Sequence, residues 1–275
     1  MEERYQHLVT DGYEFEMGRY VSEGWELFKK GAGSFIGFVL LYFIISMMIA
    51  MIPFVNFLAS FIQQALVAGM FIFSRNLLNK KEEFGDFFSG FQYFGNIAGY
   101  LVIYILIIIP LVIVMFTAIF PFELLPEMID SFSGTPNFDD MQYLFEDLAV
   151  SIMARIPIFI LIWLAFMYIT ISYSFALPLI VDSKLGAWKA METSRRVITK
   201  KFFSFFGMYI LIGILASIGI VFTCGLGLLI VFPFMYCIVF SAYNDIFQPD
   251  AGMVTDQIDD FGKSEGDINT ESEES

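Results

Sequence analysis

A chain of 275 residues that is 57% hydrophobic, with 34 Phe and only 16% charged residues, lies outside the range of water-soluble domains and within that of multi-span membrane proteins. The net charge of −14 would point to a basic partner if it were evenly spread, but the acids concentrate between Pro121 and Arg155 and beyond Phe247. Nothing in the composition points to nucleic acid, and the 2 Cys form neither a metal spacing nor a disulfide framework, so Cys224 and Cys237 read as packing residues.

The charged N-terminal stretch carries no cleavage pattern, so the first span is expected to stay in the mature protein. From Asp11 the sequence predicts a helix. Asp11 and Glu14 have capping-box spacing, and Met17, Tyr20, Val21, Gly24, Trp25 and Phe28 share a face opposite Glu16, Arg19, Glu23, Glu26 and Lys30. Such a helix directly before a span belongs in the headgroup layer, with Trp25 at interfacial depth. The first apolar run, 34–52, is about 28 Å long as a helix, enough to cross the bilayer core. Pro53 to Asn56 breaks it, and a second run, 56–74, returns to Arg75, Lys80 and Lys81.

Phe84, Phe87, Phe88, Phe91 and Phe94 then recur at helical spacing opposite Glu82, Glu83, Asp86 and Gln92, which predicts a second, aromatic interfacial helix. A third span, 97–120, is expected to bend at Pro110. The loop 121–155 carries two apolar patterns, Leu124 to Phe132 and Met141 to Ile152, read as two short amphipathic helices on the membrane. The fourth span, 156–181, has Pro157 at its start and Pro178 near its end. Asp182 or Ser183 is expected to cap a third interfacial helix with Leu185, Trp188, Met191 and Ile198 on its apolar face. Lys184, Lys189, Arg195, Arg196, Lys200 and Lys201 make it the most basic stretch of the chain. Spans 205–222 and 225–242 close the last hairpin, and the acidic tail 248–275 has too little to bury to become ordered.

The fold class predicted is an all-α membrane protein, a single polytopic domain over 1–247. Its six transmembrane helices form three hairpins, each preceded by a cytoplasmic interfacial amphipathic helix. All but one of the 15 Lys and Arg residues then fall on one side, the exception being Arg155, while the opposite loop is acidic. The positive-inside rule places both termini in the cytoplasm, with Ser194 and Ser264 on that side and Ser133 on the other.

Gly37, Gly99 and Gly207 each open an apolar run after an aromatic approach, a weak internal repeat. Gly33 with Gly37, and Gly95 with Gly99, have the G-x-x-x-G spacing that lets helices approach closely, or else are turn glycines at helix entrances. The stretches Asp86 to Gly95, Leu177 to Asp182 and Ala187 to Ser194, the turn Cys224-Gly225-Leu226-Gly227, and Pro233 followed by Tyr243 resemble a group of loosely related bacterial integral membrane proteins of unknown function. That group includes the membrane domain of glycerophosphoryl diester phosphodiesterase. The resemblance covers most of 13–247 and implies a six-helix protein of the bacterial inner membrane. It implies no catalytic residues, because no soluble phosphodiesterase domain is present.

His7 has no neighbours suited to acid–base work, no nucleotide, metalloprotease or hydrolase motif occurs, and the spans lack His, Asp and Glu. The chain is therefore not expected to be an enzyme or to carry a cofactor. Asp139, Asp140, Glu146 and Asp147 have a spacing that a divalent-cation site and a solvated face share, and no metal site is assigned. The six cations of the third interfacial helix are candidates for lipid-surface contact. Gln63 and Gln64, the most polar pair within a span, are candidates for contact inside the bundle. The expected function is a non-catalytic scaffold or accessory protein contacting lipid, partner proteins or further copies of itself. A small carrier or channel for an uncharged or amphipathic solute is the alternative.

Overall fold

A computed structural model describes residues 5–52, 56–126, 129 and 138–248. The Pro53 break, most of the first loop helix, Ser133 and the tail beyond Gln248 lie outside the described residues. Among those described there is no strand, and six helical stretches are long and apolar enough to cross a membrane: Ala32–Ala50, Ala59–Leu78, Phe84–Ile119, Gln142–Val181, Phe202–Phe222 and Leu228–Phe247. The chain is thus a helical, multi-pass membrane protein. Its helices are α1 (Gln6–Thr10), α2 (Met17–Lys30), α3 (Ala32–Ala50), α4 (Asn56–Leu78), α5 (Phe94–Ile119), α6 (Phe138–Ser172), α7 (Ala176–Val181), α8 (Ala187–Lys200), α9 (Phe202–Phe222) and α10 (Leu228–Phe247). A 3-10 helix, Phe84–Tyr93, leads into α5.

The helices form two compact units, one of residues up to Leu101 and from Ile171, the other of 102–170. In the first unit the most extensive contacts are of α2 with α10 and of the 3-10 helix with α4. Phe87 is fully buried and stacks on Phe38 at 4.2 Å and on Phe73 at 4.1 Å between ring centroids, with Phe35 edge-on to both Phe73 and Phe87. Aromatic pairs of this kind contribute roughly 0.5–1.5 kcal/mol each beyond their area. The approach that makes the stack possible is backbone to backbone. A Cβ on Gly69 would meet the Phe87 carbonyl, and one on Gly90 would meet the Ala65 carbonyl. On the other side of the unit, a Cβ on Gly24 of α2 would lie 2.8 Å from the Ile238 backbone of α10. Between these packed elements the close-approach glycines are Gly24, Gly69 and Gly90, and in the turn before α10 a Cβ on Gly227 would meet the Gly219 carbonyl. Gly33 and Gly95 face open space, and Gly37 and Gly99 meet only side-chain atoms, at 3.9 Å and 3.3 Å.

Several expected boundaries move. The helix predicted from Asp11 begins at Met17, because Gly12 takes a positive φ of 82° and the Glu16 carboxylate turns to Arg19 rather than to the backbone. The second interfacial segment is a 3-10 helix with a capping box between Glu83 and Asp86. Phe87 leaves its aromatic face for the core, while Phe84, Phe88, Phe91 and Phe94 stay exposed. The second loop helix is not separate from the fourth span. With no breaker between Met141 and Ile156, one helix runs from Phe138 through Pro157 to Ser172. That span is instead interrupted at 173–175, and α7 resumes it.

In the second unit, helical residues 102–119 and 138–170 present mostly exposed large apolar side chains, Leu106, Ile113, Phe116 and Leu161 among them. Tyr104 OH lies 3.4 Å from Thr170 Oγ1. Arg155 pairs with Glu123 and also donates to the Ser151 carbonyl at 2.9 Å. The Arg155 hydrogen bond holds the Glu123 carboxyl below its ordinary value.

Candidate functional site

Polar chemistry in the first unit gathers at the ends of its helices. On α2, Tyr20, Glu23, Gly24 and Leu27 share the face turned to α10, and Gly24 brings the two backbones close enough for short polar side chains to meet. Ser241 of α10 donates to Glu23, Arg19 Nη2 reaches Asp245 Oδ1 at 2.6 Å, and Tyr20 OH donates to Asp245 Oδ2 at 2.7 Å. Arg19 also faces Glu23 at 3.9 Å and Glu16 at 3.4 Å. Burial raises the Glu23 carboxyl, and the Ser241 hydrogen bond and Arg19 charge oppose that rise without cancelling it. Asp245 sits in the last turn of α10, where the helix dipole disfavours an anion, so Arg19 offsets that penalty.

A second group forms around Asp182. It was expected to cap the third interfacial helix, but the residue before α8 is Gly186, with no side-chain cap, and Asp182 ends α7 instead. There it pairs with Arg75 of α4 and accepts from Tyr243 OH at 3.0 Å and from Gln248. Ser183 continues the network to Tyr5 OH at 2.6 Å and Tyr243 OH at 3.4 Å. The cleft among Arg75, Asp182, Tyr243 and Gln248 has about 10 Å³, room for about one water molecule. One guanidinium–carboxylate pair beside so small a space suits the fastening of helix ends that lie far apart in sequence.

The interruption between α6 and α7 is closed by Ser194. Its hydroxyl donates to the Ser172 carbonyl at 2.7 Å and accepts from the Phe175 N–H at 3.2 Å, serving two backbone groups that the broken helix leaves without partners. Ser194 is fully buried. Ala190, Met191, Thr193, Val197 and Ile198 share its buried face of α8. Trp188, expected on the apolar face, is 64% exposed and lies with the cations. Lys184, Lys189, Lys200 and Lys201 are exposed. Arg195 and Arg196 both bind Glu192, Arg195 through two nitrogens at 3.0 and 2.9 Å, and hold that carboxyl below its ordinary value.

Gln63 of α4 donates from Nε2 to Ser46 Oγ of α3 at 3.3 Å, and Gln64 is half-buried. Among the described residues no three His, Cys, Asp or Glu side chains converge as a metal site, and the side chains of Asp139 and Asp140 are not described. Neither Arg19–Asp245 nor Arg75–Asp182 was expected from the sequence, although Arg75, Asp182 and Asp245 each stand where an apolar run ends. No known protein family, curated protein or solved structure matches this chain.

Proposed function

We propose that the chain is a non-catalytic scaffold or accessory protein of a bacterial inner membrane. Its spans form three hairpins, α2, the 3-10 helix and α8 lie at the cytoplasmic interface, and both termini are cytoplasmic. The observation that supports this best is the division of charge in the first unit. The carboxylates and guanidinium groups at its helix ends bind one another, while Lys184 and Lys189 near the start of α8, Lys200 and Lys201 at its end, and Trp188 are exposed. A lysine–tryptophan face at a membrane boundary suits anionic headgroups, at about 1 kcal/mol per cation near the surface. Lipids retained through mild-detergent purification test it. Changing the four lysines to Gln is expected to lower the anionic share of bound lipid roughly threefold, and an unchanged share refutes the reading. Topology has its own test after Cys224→Ser. An impermeant maleimide should label Glu146→Cys in intact cells and Lys189→Cys only after permeabilisation, both side chains being exposed.

One observation favours a small carrier or channel instead. The interruption at 173–175 has beside it the buried hydroxyls of Ser172 and Thr193, for which no partner occurs among the described residues, and interrupted helices line solute sites in transporters. Glycerol entry into proteoliposomes, followed by light scattering, decides between them. Flux above that of protein-free vesicles supports the carrier.

A further inference from the structure

The outer face of α8 and the residues flanking it carry positive charge that no described carboxylate offsets. Glu192, its one acid, is taken by Arg195 and Arg196, and Lys184, Lys189, Lys200 and Lys201 meet no carboxylate among the described residues. Trp188 is 64% exposed on that face, and Phe203, just beyond it, is 85% exposed. The chain beyond Gln248 has the complementary chemistry: nine acids against Lys263 alone in 249–275. It also begins beside the face. Gln248 is hydrogen-bonded to Asp182, and Lys184 follows two residues later.

We infer that residues 249–275 dock on the outer face of α8, acids against the lysines and apolar side chains against Trp188 and Phe203. Val254, Ile258 and Phe261 are interleaved in sequence with Asp256, Asp259 and Asp260, so one short stretch offers both apolar and acidic side chains to a face that carries both aromatic rings and lysines. The four residues from Pro249 to Gly252 reach roughly 14 Å when extended, against a length of about 21 Å for α8, so this stretch can lie along the face without strain. Tethering gives it an effective concentration on the order of millimolar, so weak pairwise contacts suffice. The tail then covers the surface assigned above to anionic headgroups, and lipid and tail compete for it. The competition rests on the headgroup reading; the docking does not.

The test replaces Trp188 with the photocrosslinking residue p-benzoylphenylalanine (Trp188→Bpa), in the full chain at one copy per phosphatidylcholine nanodisc, with the adducts mapped by mass spectrometry. The expected adduct joins position 188 to a peptide within 249–275. Its yield should fall roughly tenfold when Lys184, Lys189, Lys200 and Lys201 become Gln, and should fall again in high salt. Adducts to lipid alone, to other parts of the chain, or a tail adduct indifferent to the four lysines overturn the docking. A tail adduct that appears only when a disc holds two copies overturns it in favour of a second chain's tail. Replacing phosphatidylcholine stepwise with phosphatidylglycerol should exchange tail adducts for lipid adducts. Undiminished tail adducts there overturn the competition and leave the docking standing.

Discussion

The two units differ in a way that runs against intuition from water-soluble proteins. In the first, the apolar windows of α4 and α10 are each 56% buried, with mean hydropathies of 1.2 and 1.6. The windows that extend into the second, over Phe84–Ile119 and Gln142–Val181, are 0% and 6% buried, yet have mean hydropathies of 3.0 and 2.2. The trend holds across the spans: α3 and α9 of the first unit, with mean hydropathies of 2.2 and 2.4, are also only 17% buried each, so high hydropathy goes with little packing. Lipid is as apolar as leucine, so large aliphatic side chains gain little by turning inward. Close association is driven instead by small residues and polar contacts. Helix α4 has Ala65, Ala68, Gly69 and Ser74 in the interior, and α10 has Cys237, Ser241 and Ala242, whereas α5 presents Leu106, Ile109 and Ile113 outward.

The sharpest way to break this contrast is a single methyl group. Gly69→Ala drives a Cβ into the Phe87 carbonyl, which belongs to backbone and cannot step aside, so we expect a loss of about 3 kcal/mol and collapse of the phenylalanine stack. Ile113→Ala removes far more mass from an exposed position and should stay within about 0.5 kcal/mol. Thermal unfolding of both variants in the same detergent is the measurement. Equal losses would show that the two regions do not differ as described.

Ser194→Ala probes the same region through polarity. It leaves the Phe175 N–H and the Ser172 carbonyl buried without their partner, at about 1–3 kcal/mol. Ser194→Thr keeps the hydroxyl and should recover part of the loss. Hydrogen exchange at the Phe175 amide reports the effect locally, and unchanged protection there would mean that the serine does not close the break.

Much of this architecture was legible in the sequence, because six apolar runs and their flanking charges need only hydropathy to be seen. The partners of those runs were not. Gly69 is one small residue in an apolar stretch, and nothing near it announces that Phe87 and Gly90 will come to rest there. The break at 173–175 was foreshadowed by Pro178, whose missing N–H weakens the ladder below it, but the residue that repairs it, Ser194, lies in another helix. Asp182 looked like a helix cap because local rules favour aspartate before a helix. A longer-range pairing with Arg75 took it instead. Trp188 was assigned by periodicity to the apolar face of an interfacial helix, but the face that is buried holds the small Ala190 and Ser194, because α8 packs close to α7.

A smaller effect separates the units by pH. Burial raises the Glu23 carboxyl above its unfolded value, so the folded state holds the proton more tightly. The stabilisation is fully present below the ordinary glutamate range and is lost as pH rises through the raised value. Arg19, Asp245, Glu16 and Ser241 surround it, and Asp245 and Glu16 push in the same direction as burial. Glu23→Gln should therefore gain on the wild-type chain as pH rises through that window. Glu123, exposed and held by Arg155, has the opposite sign: its contribution is present above the unfolded value and lost as pH falls, so Glu123→Gln should lose on the wild type at neutral pH and not in acid. A Glu23→Gln difference that does not change with pH would remove the carboxylate from the account.

The smallest expected effect is at Gln63, and it bears most directly on what the bundle does. Its amide reaches Ser46 between α3 and α4, in surroundings where an unpaired amide is costly, yet such bonds contribute on average only about 0.6 kcal/mol in membranes because the separated helices also find partners. Gln63→Leu should accordingly lower stability by about that much, and Ser46→Ala by somewhat more, since Ser46 also hydrogen-bonds Tyr42, with the double variant matching the Ser46→Ala loss. Gln64 is half-buried one residue on, about 100° around the helix, and so cannot replace Gln63 against the same neighbour. If Gln63 serves only to join the two helices, glycerol entry into proteoliposomes is indifferent to all three variants. If instead flux above background exists and falls with Gln63→Leu while unfolding is unchanged, the amide lines a path, and the scaffold reading gives way to the carrier.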